Sequence, residues 1–282
     1  MSGLGPILRS LLERAEPALV VTVAEVKGSA PREAGTHMIV TAGDSHGTIG
    51  GGTLEWEAIR RARSLLGGGE ASATMKLPLG PELGQCCGGF VSLRLQRADA
   101  ALWAKLEAME AREREGMPLV LLFGAGHVGK ALARALAPLP LRLRWIDSRA
   151  DAFPDPAPPC VEVVVSERLL DEVEAAPPAA AFLVLTHSHA LDSMICAAAL
   201  QRGDFAYLGL IGSRTKRAQF ERAFRDLGIP EERIARLVCP IGGERLRDKR
   251  PAVIAALVAA ELLHTLNDVA AKGEAAKSGE AA

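Results

Sequence analysis

Residues 118–136 hold the pattern that most narrows the fold. The apolar run Pro118-Leu-Val-Leu-Leu-Phe123 breaks into Gly124-Ala-Gly126-His-Val-Gly129, and Lys130-Ala-Leu-Ala-Arg-Ala-Leu136 continues at helical spacing. This predicts strand, glycine turn and helix. The glycines serve a tight turn, an approach of bare backbone to a phosphate, and close packing of helix on strand. A second strand pattern, Leu141-Arg-Leu-Arg-Trp-Ile146, ends on Asp147, 18 residues past Gly129. A dinucleotide-binding fold places there the acid that accepts a ribose hydroxyl. The anion itself is expected on the positive N-terminus of the helix.

The rest of this half alternates strand and helix, as a parallel sheet requires. Strands are predicted at 119–123, 141–146, 161–165, 181–185, 206–211 and 236–239, and a long helix from Pro251 to about Leu266. Upstream, 18–26, 36–40, 74–77 and 90–95 read as strands of a small sheet. Thr53 is placed to cap a helix running to about Leu66, with Glu55 and Glu57 in its first turn. The fold class is therefore α/β: a small N-terminal α+β domain followed by a Rossmann-like doubly wound parallel-sheet domain. The expected boundaries are 1–97 for the first, 98–117 for a connecting helix, 118–268 for the second, and 269–282 for a disordered tail rich in Ala, Lys, Glu, Ser and Gly.

Composition excludes little but is consistent. With 33 Lys and Arg against 34 Asp and Glu, the formal charge of -1 gives no reason to expect nucleic acid. The apolar stretch Val253–Leu263 is shorter than the roughly 20 residues of a membrane span, and the N-terminus shows no signal-peptide apolar region, so no membrane partner is expected. Five cysteines at irregular spacing do not read as a disulfide framework and point to a reducing cytoplasm.

Ligands of open α/β sheets bind beyond the carboxyl ends of the strands. The segments there are Thr186-His187-Ser188-His189-Ala190-Leu191-Asp192, Gly209-Leu-Ile-Gly212-Ser213-Arg214-Thr-Lys216 and Cys239-Pro240-Ile241-Gly242. His187, His189 and Asp192 are either metal ligands or crevice-shaping residues. Gly212, Ser213 and Arg214, with Lys216, read as a second anion cradle or as a capped, solvated helix start. Of the cysteines, Cys160 and Cys196 read as packing, and Cys239 as a thiol at the crevice end of a strand.

The N-terminal half has three glycine-rich loops: Lys27-Gly28-Ser29-Ala30-Pro31-Arg32, Gly47-Thr48-Ile49-Gly50-Gly51-Gly52 and Gly84-Gln85-Cys86-Cys87-Gly88-Gly89. They are either tight hairpins or a nest of backbone N–H groups for an anion, with Arg32 adding a fork of donors. Cys86 and Cys87 are either accessible thiols able to carry sulfur or lie near a soft metal centre, or small buried residues at a strand start.

Taken in order, Gly28–Arg32, Gly47–Glu55, Gly84–Gly89, Gly124–Gly129, Thr186–Asp192 and Gly209–Arg214 resemble the xanthine dehydrogenase accessory proteins of the XdhC/CoxI type, over roughly residues 5–266. The resemblance implies a cytoplasmic, dimeric maturation factor, not itself an enzyme, that binds molybdenum cofactor (molybdopterin). It implies support, with a cysteine desulfurase, for exchange of a terminal molybdenum oxygen for sulfur. The product would pass to a xanthine dehydrogenase or related molybdenum hydroxylase. The chain departs from the family pattern at Gly243-Glu244-Arg245-Leu246-Arg247-Asp248, which is more charged and poorer in glycine. On this reading Gly126, His127 and Gly129 receive a phosphate or pyrophosphate, and Arg32, Gly51, Cys86 and Cys87 face the other end of the cofactor across a domain interface. The competing reading is a nicotinamide-dependent oxidoreductase, with NAD(P) as cofactor, Asp147 on the ribose, Arg149 beside a 2′-phosphate, and His187 or His189 as proton donor. A third is a scaffold that recruits the client enzyme without holding a ligand.

Overall fold

The computed structural model describes residues 3–68, 70–78, 89–243 and 248–279, with side chains to 269. Two compact units divide at Glu115 and Gly116. In the first, strands β1 (Ala18–Lys27), β2 (His37–Thr41), β3 (Ser45–Gly47), β4 (Ser72–Pro78) and β5 (Phe90–Arg97) form one antiparallel sheet, in the order β3-β2-β1-β5-β4. Period-two alternation sorts its faces. Leu19, Val21, Val23, Leu93 and Leu95 pack on one side against Leu54, Ala58, Ala62 and Leu65 of helix α2 (Gly52–Gly68). Ala18, Val20 and Ile39 point to the other side, where α1 (Leu4–Glu13) brings Leu8 and Leu11, and α3 (Ala100–Gly116) brings Leu106. The segment expected as a connecting helix, 98–117, is thus α3, whose contacts lie with the first unit. Glu110 of α3 holds the start of α1 by accepting from the N–H groups of Leu4 (2.6 Å) and Gly5.

The second unit is an entirely parallel sheet of β6 (Leu119–Phe123), β7 (Arg142–Asp147), β8 (Val161–Val165), β9 (Ala181–Val184), β10 (Tyr207–Leu210) and β11 (Leu237–Val238), ordered β11-β10-β9-β6-β7-β8. This is the strand order of the dinucleotide-binding doubly wound fold, and its direction reverses between β6 and β9. Helices α4 (His127–Leu136) and α9 (Pro251–Gly279) cover one face, packed on Val120, Leu122, Trp145 and Leu183. Helices α5 (Leu169–Glu174), α6 (His189–Arg202), α7 (Arg214–Asp226) and α8 (Glu231–Ile234) cover the other, around Leu121, Phe123, Phe182 and Leu208.

Two expectations change here. Helix α9 does not end near Leu266 but continues to Gly279, over residues expected as a disordered tail, because Ala, Lys and Glu are strong helix formers that extend an anchored helix. Over Pro251–Val269 α9 is also long and apolar enough, by length and composition, to cross a membrane. Its seam of Ile254, Ala255, Val258, Leu262 and Leu266 is buried against α4 and the sheet, the pattern of a helix that packs by one face.

Candidate functional site

The carboxyl edge of the parallel sheet is built around the turn after β6. Gly124 has φ +119°, and a Cβ there would lie 2.2 Å from the Leu185 carbonyl oxygen at the end of β9. A Cβ on Gly129 would lie 2.0 Å from the Gly124 oxygen. Both positions therefore demand glycine for the fold itself. Gly126 is different: its φ of -72° suits any residue, and nothing lies within 4 Å of where its Cβ would point. Neither backbone angle nor packing therefore requires glycine at this position. Gly126 is also the N-cap of α4 and makes no side-chain cap, so no capping side chain satisfies the first N–H groups of that helix at the positive end of its dipole. The Trp145 indole, fully buried, donates to the Gly124 carbonyl at 2.9 Å and fixes the turn from beneath.

Asp147 is engaged by the chain itself. Its carboxylate is 3% exposed and accepts four hydrogen bonds: from the Ala125 N–H (2.7 Å), the Arg149 N–H (3.0 Å) and the Arg149 guanidinium Nε and Nη2 (2.9 Å each). Burial alone would raise its pKa, but the bonds from Arg149 and Ala125 outweigh it and hold the carboxyl below its ordinary range. With its lone pairs taken, Asp147 clamps the glycine turn internally and has none left for a ribose hydroxyl. Arg149, the expected 2′-phosphate partner, spends two guanidinium donors on the same clamp.

The loops after β9 and β10 are joined by a second internal carboxylate. Asp192 Oδ1 accepts from the Thr186 N–H (2.9 Å) and hydroxyl (2.7 Å), and Oδ2 accepts from Lys216 Nζ (2.7 Å), which also donates to the Ile211 carbonyl. Asp192 is 1% exposed and Lys216 11%, so the pair is a buried tie between the two loops. Asp192 is thereby removed from any metal set, and among the described residues no three His, Cys, Asp or Glu groups converge. His127, His187 and His189 stand exposed along this edge. Ser213 is the N-cap of α7, accepting from the Lys216 N–H at 3.2 Å, and Ser188 caps α6 in the same way. Ser213 and Lys216 are thus committed to structure, and the capped-helix reading of Gly212–Arg214 prevails for them. A Cβ on Gly212 would meet the Lys216 side chain at 2.9 Å and Cys239 Sγ at 3.2 Å. Cys239 is buried, and that burial pushes its thiol pKa up, which argues against a ligand-side thiolate. Cys196 is buried as expected, whereas Cys160 is exposed at φ +63°.

In the first unit two glycines lie close to the segment 27–32. A Cβ on Gly50 would lie 2.6 Å from Pro31, and one on Gly89 2.2 Å from the Ser29 carbonyl oxygen, so both glycines press against Lys27–Arg32. At Gly50 and Gly51 the chain supplies its own acceptors, chiefly Glu55. Its Oε2 accepts from the N–H groups of Ile49 (3.0 Å) and Gly51 (3.1 Å) and from the Thr48 hydroxyl, while the Gly50 N–H donates to Thr48 Oγ1. These donors are satisfied by the chain's own carboxylate. Helix α2 begins at Gly52, so Thr53 lies inside its first turn and does not cap it. Arg32 is exposed on the loop edge. Gln85, Cys86 and Cys87, as well as Arg245 and Arg247, lie outside the described residues.

Fold and site together define a two-unit protein whose Rossmann-type half presents one uncapped, glycine-fronted helix N-terminus at the switch point of its sheet. A family model described as the XdhC Rossmann domain matches residues 120–262, and one described as the XdhC and CoxI family matches residues 11–77. The chain belongs to the XdhC/CoxI family. A relative from Escherichia coli (strain K12), named as the uncharacterized protein YqeB, is 29% identical over 261 residues, which are 89% of this chain and 44% of the relative, so the chain spans less than half of that protein. A crystal structure described as a xanthine dehydrogenase from Bacillus halodurans shares the fold at a TM-score of 0.71 and 18% identity, covering 94% of this chain and 96% of that one.

Proposed function

We propose that the chain is an accessory factor, not an enzyme, in the maturation of a xanthine dehydrogenase or related molybdenum hydroxylase. It holds molybdenum cofactor at the α4 N-terminus during sulfuration and delivery. The observation that carries the reading is Gly126: a glycine that neither backbone angle nor packing requires, fronting a helix start with no side-chain cap, in a member of this family. A pterin phosphate fits that cradle. Amides and helix dipole bind the anion without a formal counter-charge, which suits reversible holding. When bound, the cofactor supplies the molybdenum centre whose terminal ligand is exchanged. His127, exposed at the first helical position, flanks the phosphate, and the Asp147–Arg149 and Asp192–Lys216 ties keep the edge rigid. Cys86 and Cys87 are the proposed thiols in sulfuration, with a cysteine desulfurase as the sulfur source and a homodimer as the working form in the cytoplasm.

Purification without oxygen, followed by molybdenum and pterin assay, tests this. The protein should retain both, Cys86→Ala with Cys87→Ala should lower retention or client sulfuration, and NAD(P) should not displace the cofactor. A metal-free, pterin-free protein that activates its client fully would overturn the holding role.

A further inference from the structure

The sheet of the first unit has a second concavity, on the face opposite α2. There α3 covers the sheet only in part, and a cavity of about 220 Å³ opens over the strands. Its floor is polar where the alternation of β1, β2 and β5 turns Thr22, His37, Arg94 and Gln96 to this side, and its wall is apolar where Val20 meets Leu102, Leu106 and Met109. Two features separate it from an ordinary solvated sheet face. The Nε2 atom of His37 is buried and has no hydrogen-bond partner among the described residues, although Nδ1 is fixed 2.9 Å from Thr22 Oγ1. Buried polar atoms in folded proteins are almost always paired, so this orphan marks a polar group left unsatisfied beside the cavity. In addition, Arg94 of β5 and Lys105 of α3, both lining the space, have no carboxylate within salt-bridge distance among the described residues.

We propose that this cavity is a binding site for a small organic carboxylate: the anion lies toward Arg94 and Lys105, beside the His37 ring, and rests its apolar body on Leu102, Leu106 and Met109. The Arg94 guanidinium and the Lys105 ammonium carry only donors, which suits an acceptor-only group. Glu113 is the one acidic group that reaches His37 electrostatically, and Lys105 opposes it. The volume falls below that of drug-sized ligand sites, which limits the occupant to a compact molecule. This inference is independent of the α4 site, and either can fail without the other.

The test uses the full chain labelled with ¹⁵N-histidine. His37 is assigned by the loss of its resonance in His37→Gln, and benzoate serves as probe. Benzoate should shift the His37 ring nitrogens saturably in the millimolar range. Benzamide, its neutral isostere, should bind at least about tenfold more weakly. Arg94→Gln and Lys105→Gln, both at exposed positions, should each weaken benzoate about tenfold with unchanged melting temperature. No saturable shift by about 20 mM benzoate, equal binding of benzamide, or equal shifts with inorganic phosphate would each overturn the proposal.

Discussion

Replacing Asp147 by Asn separates a structural clamp from a ligand contact. The carboxylate accepts four hydrogen bonds, from Ala125 and Arg149, and an amide of the same shape keeps one oxygen and turns an NH₂ group toward the remaining donors. Losing two charge-assisted bonds at about 1.5–3 kcal/mol each gives a loss of roughly 3–6 kcal/mol. The Arg149 side chain is 43% exposed, so solvent screens part of this, and about 2–4 kcal/mol is the expected destabilisation. For a unit of this size that is a fall of roughly 5–15 °C in melting temperature. The pH dependence checks the cause. A carboxyl whose folded pKa lies below its unfolded value contributes stability that is present above about pH 4 and is lost as pH falls through the folded pKa, so Asp147→Asn should flatten the acid limb of the stability curve. Calorimetry across pH, with a parallel NADH fluorescence titration, measures both roles. A variant that melts like the wild type while NADH affinity changes would show that the acid serves a nucleotide, and would refute the clamp.

The two glycines of the turn should part company: Gly124→Ala should prevent folding of the second unit, since φ is +119° and the Leu185 oxygen lies 2.2 Å from the added carbon, whereas Gly126→Ala should leave thermal stability unchanged in the same melting assay. Glu55→Ala should lower stability by about 2–3 kcal/mol in urea titration, because the N–H groups of Ile49 and Gly51 lose their acceptor. Asp192→Asn should cost about 3–5 kcal/mol by leaving the Lys216 ammonium buried without its partner, and the double change Asp192→Leu with Lys216→Met should recover part of that loss. Burial lowers the His37 pKa, so folding stability should decline as pH falls below about 6.5, where the unfolded chain takes up a proton that the folded one resists, and His37→Gln should remove this slope.

The parallel sheet was legible because its signals are local: an apolar run, glycines at fixed spacing, and a helix of period 3.6 all fall within 19 residues. What the glycines do was only half legible. Gly124 and Gly129 are fixed by carbonyls of residues 185 and 124, and the first of those contacts crosses 61 positions that no spacing rule links. Asp147 sat where a ribose acceptor belongs, and an arginine two residues on was the available sign that the acid was already committed. Glu55 likewise follows its glycine loop within the first helical turn, where an acid serves the dipole or the loop equally well in sequence terms. The Asp192–Lys216 tie joins residues 24 apart on different helices, and His37 read only as a strand residue because its significance lies in a neighbour it lacks.

The central claim is that the uncapped α4 N-terminus holds the cofactor through Gly126. Molybdenum and pterin content of Gly126→Ala, purified beside the wild type without oxygen, tests it directly. The account predicts an intact fold with cofactor retention reduced about tenfold or more, because the methyl group fills the space a phosphate needs. Retention equal to the wild type would contradict it.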